Sequence, residues 1–398
     1  MEPELLELSA RAKEEGKTYQ KRRFMYPEIK QHLPQRIFLA LVGPRGAGKT
    51  ILLKQILSEV DASFYLSLDT QKPENGIFSF AKEAAEQGIK LLLLDEVHAY
   101  QGFEMEIKKI FDFLDINIVF TSSSSISLHE SSYDLSRRVR LINVPPFSFR
   151  EFLFFEKGGM VAPLSFEGLL DESTAREYYG KVMHSEALFE QYLQFKNYPF
   201  ATGKTDLAPV FRTMLETIIN KDIVLAGRAT AQEAMEIRKL ISFIGNSPVE
   251  NMSYTTIAKN IGITRYKTEK YTELLEKAFV LKCIMPKGSN VMKEPKILLA
   301  LPYRLLYKNY RDCTGAIRED FFTDSMKYLG FEFNYLKSQR GKKTPDYALN
   351  NTVIEVGGTS KNPTQFKGFP SKKNIILTHP GKIDALHRPL FMAGMLEK

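Results

Sequence analysis

An eight-residue segment, Gly43 to Thr50, constrains the fold of this chain more than any other feature. It fits the pattern G-x-x-x-x-G-K-[S/T] at every fixed position. The apolar run 37–42 precedes it and predicts a strand, while the residues after it show helical periodicity. A phosphate-binding loop needs this order of strand, loop and helix. The alternative is a glycine-rich turn that arises by chance, and the flanking pattern disfavours it.

The residue types in this loop predict how a nucleotide would bind. Glycines let backbone N–H groups wrap a phosphate, and the following helix N-terminus adds positive partial charge beneath the anion. Lys49 is expected to bridge the β- and γ-phosphates, and Thr50 to coordinate Mg²⁺. The predicted ATP-binding residues are Gly43, Pro44, Arg45, Gly46, Ala47, Gly48, Lys49, Thr50 and Ile51.

Two adjacent acids follow a second apolar run. Residues 91–94 are all leucine, which predicts a strand buried on both faces, and Asp95 and Glu96 come directly after it. We expect Asp95 to hold Mg²⁺ together with Thr50, and Glu96 to act as the general base that activates water. The presence of both acids favours hydrolysis over simple binding. A strand capped by two solvated acids is the alternative.

Polar and basic residues follow the next strands. The run 116–120 is followed by Thr121 and Ser122, either of which is predicted to orient the attacking water, although a serine-rich loop without a role is the alternative. Arg138, or its neighbour Arg137, is a candidate for an arginine that stabilises the γ-phosphate in the transition state, in cis or from a second copy. Surface arginines at a strand entrance are also common. Lys49, Glu96, Thr121, Ser122 and Arg138 are thus the predicted catalytic residues.

Four strings in this order carry a family resemblance: 95–98 (DEVH), 120–124 (FTSSS), 136–140 (SRRVR) and 146–152 (PFSFREF). They resemble a family of prokaryotic AAA-superfamily P-loop ATPases that carry a winged-helix segment and a C-terminal DUF4143-type domain. The resemblance implies an α/β P-loop NTPase parallel sheet of the additional-strand, AAA-like type. A helical lid, a winged helix and a smaller α+β domain similar to PD-(D/E)xK nucleases are expected to follow it.

The chain is accordingly divided into four expected domains. An ATPase core with an N-terminal helical extension takes residues 1–150, because strand and helix alternate up to Pro145-Pro146. The helical lid is expected over 151–240, the winged helix over 241–295 and the nuclease-like domain over 296–398.

The winged-helix segment suggests a surface for DNA. Residues 252–264 fit a helix and a turn at Gly262, and Thr264 is a plausible N-cap for the helix that follows. Arg265, Lys267 and Lys270 lie near the start of that second helix and are the predicted DNA contacts. Winged-helix units in ATPases also serve as protein-packing modules, which is the alternative.

The C-terminal segment contains a pattern that looks like P-D-x(n)-E-x-K. Asp346 and Glu355 supply its acids, and Glu319 on a preceding helix is a candidate third carboxylate. Gly357 stands where the motif lysine is expected, and Lys361 is a candidate replacement. A nuclease-like fold with doubtful or no cleavage is therefore predicted. The basic residues Lys337, Arg340, Lys342 and Lys343 lie near Asp346 in the sequence and would suit a phosphate backbone or a solvated loop.

Charge and composition bear on partners and compartment. The net charge is +8, but residues 1–250 hold 30 basic and 34 acidic residues whereas 251–398 hold 25 and 13. That asymmetry suggests a polyanionic partner for the C-terminal half, with duplex DNA as the candidate, and a basic surface that only aids solubility is the alternative. With no apolar run of about 18 residues, no leader-like start and only two cysteines, a cytoplasmic protein without membrane contact is expected.

Three functions remain open from the sequence. The first is an ATPase that uses ATP and Mg²⁺ and couples its cycle to DNA. The second is an ATP-dependent switch for a protein partner, with a homo-oligomer also possible if an arginine acts in trans. The third is an ATP-regulated nuclease that uses Glu319, Asp346 and Glu355.

Overall fold

The computed structural model describes residues 2–123, 137–225, 228–250, 252–288, 294–336, 344–367, 369, 371 and 373–397. The chain forms two compact units, Met1–Pro146 (unit 1) and Phe147–Lys398 (unit 2). The four basic residues around position 340 and the serines after Ser123 lie outside the described residues. Across the described ranges, none of the helices has the length and apolar character needed to cross a lipid bilayer.

Unit 1 is a parallel sheet with helices against it. Its strands are β1 (Phe38–Val42), β2 (Ser63–Ser67), β3 (Leu91–Asp95), β4 (Asn117–Ser122) and β5 (Val139–Asn143). Its helices are α1 (Pro3–Thr18), α2 (Tyr26–His32), α3 (Lys49–Glu59), α4 (Gly76–Glu86) and α5 (Phe103–Phe113), with a 3₁₀ turn at Val97–Ala99. All neighbouring strands pair in parallel, in the order β2-β3-β4-β1-β5.

The sheet order explains why the sequence motifs meet. Strands β1 and β3 are buried along their whole length, as continuous apolar runs predict. Strand β4 lies between them, which is the additional-strand arrangement expected from the resemblance. Parallel strands end at the same edge of a sheet, so the segments that follow β1, β3 and β4 are neighbours. Leu52 and Ile56 of α3 pack against Leu41 in one hydrophobic core beneath this edge.

Unit 2 combines helices with a mixed sheet. Its first helices are α6 (Phe149–Lys157), α7 (Phe166–Leu170), α8 (Glu172–Val182), α9 (Glu186–Gln191) and α10 (Ala208–Thr217). The next elements are α11 (Ala231–Asn246), α12 (Tyr254–Ile261), α13 (Arg265–Lys277), β6 (Leu281–Ile284), β7 (Lys296–Leu299) and α14 (Tyr310–Tyr328). Five strands complete it: β8 (Phe333–Tyr335), β9 (Tyr347–Leu349), β10 (Thr352–Gly357), β11 (Lys373–Thr378) and β12 (His387–Pro389).

The larger sheet of unit 2 has the order β12-β11-β10-β9-β8. Strands β8, β9 and β10 form an antiparallel meander, and β10, β11 and β12 pair in parallel. Strands β6 and β7 form a separate antiparallel hairpin after α12 and α13. Between those two helices Gly262 takes a left-handed backbone conformation, and the Thr264 hydroxyl accepts the N–H of Lys267 as the N-cap of α13. The turn and cap therefore have the geometry that their residues predict.

The core of unit 2 joins segments that the sequence assigned to different domains. Phe149 of α6 lies 5.9 Å from Phe391 between ring centroids, and Phe189 of α9 lies 4.7 Å from Phe321 of α14. These rings belong to one buried cluster. The first helices of the expected lid, 151–240, thus contribute to the core around the C-terminal sheet.

Buried ion pairs tie the helix–turn–helix and hairpin region to α14. The Arg304 guanidinium donates to both carboxylate oxygens of Asp320, at 2.5 and 3.0 Å, and to the Ile244 carbonyl at the end of α11. Lys282 of β6 forms an ion pair with Asp324 of α14. Removing one partner of such a pair leaves an unpaired buried charge and lowers the stability of the fold. The expected boundary at 295 therefore crosses a continuous polar network.

Candidate functional site

The loop between β1 and α3 has the backbone that its glycines allow. Gly46 and Gly48 have φ angles of 79° and 91°, in the left-handed region that favours glycine. At Gly43 a β-carbon would lie 2.0 Å from the Val144 carbonyl oxygen, so only glycine fits there. The Lys49 side chain is buried, and its Nζ donates to the carbonyls of Gly43 and Pro44 at 2.8 and 3.0 Å. All nine predicted ATP-binding residues lie in this loop and the first turn of α3.

Asp95 ends β3 and is held by hydroxyl groups. Its Oδ2 accepts the Tyr65 hydroxyl at 2.9 Å, and its Oδ1 accepts the Thr121 hydroxyl. Thr50 also hydrogen-bonds to this carboxylate, which places the predicted metal-binding hydroxyl beside the predicted metal-binding acid. Burial raises the pKa of Asp95 above its usual value, against the effect of these hydrogen bonds. A nearby cation is the natural compensation for such a buried carboxyl.

Glu96 turns away from the strand in a left-handed conformation, with φ 52° and ψ 49°. This conformation is costly for a residue with a side chain and is typical of functional sites. Burial would raise the pKa of Glu96, but the charges of Lys49, His98 and Arg45 outweigh it and hold the pKa below its usual value. The carboxylate therefore stays ionised at neutral pH, as a general base must.

Thr121 connects the two acids. Its hydroxyl accepts the backbone N–H of Glu96 at 2.9 Å while it donates to the carboxylate of Asp95. The register of the sheet brings this about, because β4 pairs with β3 and its end lies beside Asp95. Ser122 is also buried, and its carbonyl accepts the Gly43 N–H at 3.4 Å. The Thr121 hydroxyl thus links the Asp95 carboxylate to the backbone of Glu96.

The oxygen atoms of Thr50 and Asp95 fit Mg²⁺. A hydroxyl and a carboxylate in contact supply the hard oxygen ligands that this ion prefers, and Mg²⁺ is commonly bound through one carboxylate and the phosphates of the nucleotide. Bound there, the ion would neutralise charge on the β- and γ-phosphate oxygens.

Arg138 lies at the other edge of the sheet. It precedes β5, whose first residue pairs with Phe38 at the start of β1, whereas the phosphate loop follows the end of β1. Five residues of parallel strand separate the two edges by roughly 16 Å. The guanidinium instead donates to both oxygens of Asp112, at 2.9 and 3.1 Å. Arg138 therefore does not reach the phosphate loop of its own chain, which corrects the expectation of a role in cis.

The three predicted DNA contacts have acidic partners within unit 2. Arg265 pairs with Glu269, while Lys267 and Lys270 of α13 pair with Glu236 and Glu233 of α11, each at 2.8 Å. The charges expected to meet phosphates are thus largely neutralised, and two of them fasten α13 to α11. The DNA-contact role of these residues remains a prediction.

The predicted nuclease-like residues do come together. Asp346 precedes β9 and accepts the Val356 N–H at 2.8 Å, and Glu355 lies on β10 in an ion pair with Lys361. A β-carbon on Gly357 would lie 2.6 Å from Cε of Lys361, so this lysine fills the space of the missing motif side chain. Burial raises the pKa values of both Asp346 and Glu355.

This cluster does not fit a divalent ion. Glu319 of α14 is engaged by Lys296 and by the Tyr347 hydroxyl, the latter at 2.8 Å. Two of the three carboxylates therefore have lysine partners. Throughout the described part of the chain, no three His, Cys, Asp or Glu side chains are placed to share a metal ion. The ammonium groups of Lys296 and Lys361 thus lie beside two of these carboxylates and offset charge that a divalent ion would otherwise offset.

The comparisons with known proteins agree with the geometry of unit 1. Residues 35–153 match the AAA domain family. That segment contains every strand of unit 1 and the loop, acids and hydroxyls described above. With its parallel sheet and flanking helices, this segment has the P-loop NTPase fold. Residues 187–300 match a family described as a domain of unknown function, DUF8612.

Two further proteins are similar over most of their length. The uncharacterized protein MJ1637 of Methanocaldococcus jannaschii is 29% identical over 415 aligned positions, which cover 92% of this chain and 87% of that protein. A solved structure titled as the Walker-type ATPase PABY2304 of Pyrococcus abyssi has a TM-score of 0.39 and 14% identity. The match covers 70% of this chain and 93% of the chain in that structure.

Several residues around this site were not predicted from the sequence. Tyr65 contacts Asp95 from β2, and His98 Nδ1 lies 3.1 Å from Oε2 of Glu96. Ser123 Oγ lies 3.4 Å from His98 Nε2, and the same serine hydrogen-bonds to Glu96. The close spacing of His98 to Glu96 was a usable signal, whereas Tyr65 could be found only from the order of the strands.

Proposed function

We propose that the AAA domain of this chain binds ATP with Mg²⁺ and hydrolyses it. The observation that supports this most is the placement of Glu96. It follows Asp95 directly, in a left-handed backbone conformation, and its N–H is bonded to the Thr121 hydroxyl. A second carboxylate held beside the proposed magnesium ligands supports hydrolysis, because the attacking water needs a proton acceptor there.

Each residue has a distinct role in the proposed reaction. Backbone N–H groups at the N-terminus of α3 and the Lys49 ammonium bind the phosphates. The oxygen of a water molecule bonds to the γ-phosphorus as the bond from that phosphorus to the bridging oxygen of ADP breaks. Glu96 accepts the proton that the water loses, and Thr121 keeps Glu96 in position. Thr50 and Asp95 would hold Mg²⁺.

Two substitutions separate binding from hydrolysis. Glu96→Gln is expected to bind ATP with near-wild-type affinity and to hydrolyse it roughly 10²–10⁴-fold more slowly, because a general base has been removed. Lys49→Ala is expected to lose binding, because a charge against the phosphates is gone. Calorimetric titration with ATP and phosphate release measure the two effects, with Glu86→Gln on the exposed end of α4 as a matched control. Hydrolysis by Glu96→Gln at the wild-type rate would refute the role of Glu96.

We further propose that α12, α13 and the β6–β7 hairpin form a winged-helix unit that packs within unit 2. The ion pairs of Lys267 and Lys270 with α11, and of Lys282 with α14, support this role. ATP turnover is therefore expected to be indifferent to duplex DNA added at low and at physiological salt. Stimulation by DNA that weakens as salt rises would instead favour coupling to DNA through the basic C-terminal half.

A further inference from the structure

The segment between α1 and α2 is anchored against α3. The side-chain amide of Gln55 donates to the carbonyls of Tyr19 and Lys21, at 3.0 Å each. Arg22 pairs with Glu59 at the end of α3. These contacts fix a stretch of non-helical backbone beside the helix that begins at the phosphate loop. The next residue in this stretch, Arg23, is directed into the protein.

Arg23 is 5% exposed, and its guanidinium spans two backbone segments. It donates to the Ala47 carbonyl, inside the phosphate loop, at 2.7 Å. It also donates to the carbonyls of Pro145 and Pro146, where the chain leaves unit 1, at 2.9 and 3.4 Å. A planar guanidinium has several donors at fixed angles, which suits it to hold carbonyls on separate segments in one arrangement.

The contact with Ala47 has a direct consequence for anion binding. The Ala47 carbonyl and the Gly48 N–H belong to one planar trans peptide group, so they point in opposite directions. Fixing the carbonyl on Arg23 therefore fixes the direction of the Gly48 N–H. Gly48 is the residue from which α3 starts, where free N–H groups bind an anion. Gly48 has a φ of 91° and no side chain to restrict its backbone, so the orientation of that peptide group depends on the contacts that hold it.

We propose that Arg23 is a positioning residue for nucleotide binding, which sets the orientation of the Ala47–Gly48 peptide in the phosphate loop. This inference rests on the proposed binding of ATP at that loop. It assigns to the segment before β1 a role in affinity for the nucleotide phosphates.

The test compares Arg23→Gln with Arg22→Gln. Both substitutions remove one positive charge from neighbouring residues, but only Arg23 contacts the phosphate loop. We expect Arg23→Gln to weaken ATP·Mg²⁺ binding about 10- to 100-fold, the effect of losing charge-assisted hydrogen bonds, and Arg22→Gln to change it by less than about threefold. The KM for ATP should rise in parallel, whereas kcat at saturating ATP should stay within about threefold.

A raised KM with an almost unchanged kcat distinguishes a positioning role of Arg23 from a loss of folded protein. A partly unfolded variant lowers apparent kcat, because fewer sites are active, and leaves KM unchanged. Arg23→Lys supplies a second measurement if Arg23→Gln does not fold. It keeps the charge, but one ammonium group does not span both segments, so we expect an intermediate affinity.

The outcomes distinguish this inference from the proposed function. If wild-type protein binds ATP and a folded Arg23→Gln binds it equally well, the role of Arg23 is refuted while the proposed function stands. If Arg23→Gln does not fold, wild-type ATP affinity in Arg23→Lys would likewise refute the role of Arg23 and leave the proposed function standing. If wild-type protein binds no ATP, both proposals fail.

Discussion

Replacing Thr121 by valine would test how Asp95 and Glu96 are held in place. Valine has nearly the same shape as threonine, so the substitution removes the hydroxyl and leaves the packing at the end of β4 in place. Two hydrogen bonds are lost, one to the Asp95 carboxylate and one from the Glu96 N–H at 2.9 Å. The Glu96 N–H loses this acceptor, whereas the Asp95 carboxylate loses one of its hydroxyl donors and keeps that of Tyr65.

The size of the effect follows from the charged partner. A hydrogen bond to a charged group contributes about 1.5–3 kcal/mol, and about 1.4 kcal/mol corresponds to a factor of ten in rate. If the full free energy of this hydrogen bond stabilises the transition state, Thr121→Val lowers kcat about 10- to 100-fold. ATP affinity should change little, because the phosphate loop itself is untouched. Thr121→Ser keeps the hydroxyl and should stay within about fivefold of the wild-type rate.

Phosphate release at saturating ATP, with ATP affinity measured in parallel, provides the assay. A Thr121→Val variant that keeps more than half of the wild-type kcat would show that the acids do not depend on this hydroxyl. An equal loss of rate in Thr121→Ser, which keeps the hydroxyl, would likewise show that the effect of Thr121→Val does not come from the lost hydrogen bonds.

Three further predictions concern other parts of the chain. A hydrogen bond from Lys270, aided by the Thr230 N–H, lowers the pKa of Glu233 from 4.5 to about 2. Its ionised form therefore stabilises the fold fully above about pH 4.5, and this contribution is lost as the pH falls towards 2. Glu233→Gln should flatten the fall in unfolding temperature across that window, and parallel curves for the two proteins would contradict this. Wild-type protein should leave supercoiled plasmid intact with Mg²⁺; nicking that disappears in Asp346→Ala would reveal a nuclease. Gly43→Ala should weaken ATP binding more than about tenfold, because its β-carbon would meet a carbonyl oxygen at 2.0 Å. Gly180→Ala, where the β-carbon meets nothing within 4 Å, is its control, and equal affinity in the two variants would count against the close contact.

The phosphate loop and the acid pair could be predicted because local sequence determines them. A strand, a glycine-rich loop and a helix are adjacent in the chain, and the glycines at 43, 46 and 48 are required by the local backbone. The strands predicted over 37–42, 91–94 and 116–120 also agree with β1, β3 and β4 to within two residues at each end. Their apolar runs are continuous because both faces of the sheet are covered.

Pairings across the fold could not be predicted. The sequence shows that Lys267 and Lys270 are basic, but it does not show that α11 places two glutamates opposite them. Arg138 follows the polar segment after β4 in sequence, yet it precedes β5 and so lies at the amino ends of the strands. Arg23 shows no pattern at all, since its partners are backbone carbonyls, which every residue has.

The construction of the unit 2 core has a consequence for the order of events during synthesis. Unit 1 is continuous in sequence and is complete once Pro146 has left the ribosome. Phe189, in contrast, packs against Phe391, which is synthesised about 200 residues later. At a synthesis rate of about 5–20 residues per second, the apolar faces of the early helices stay uncovered for roughly 10–40 s before Phe391 is made. The nascent chain therefore carries a finished nucleotide-binding unit while its second half is still exposed to aggregation and to chaperones.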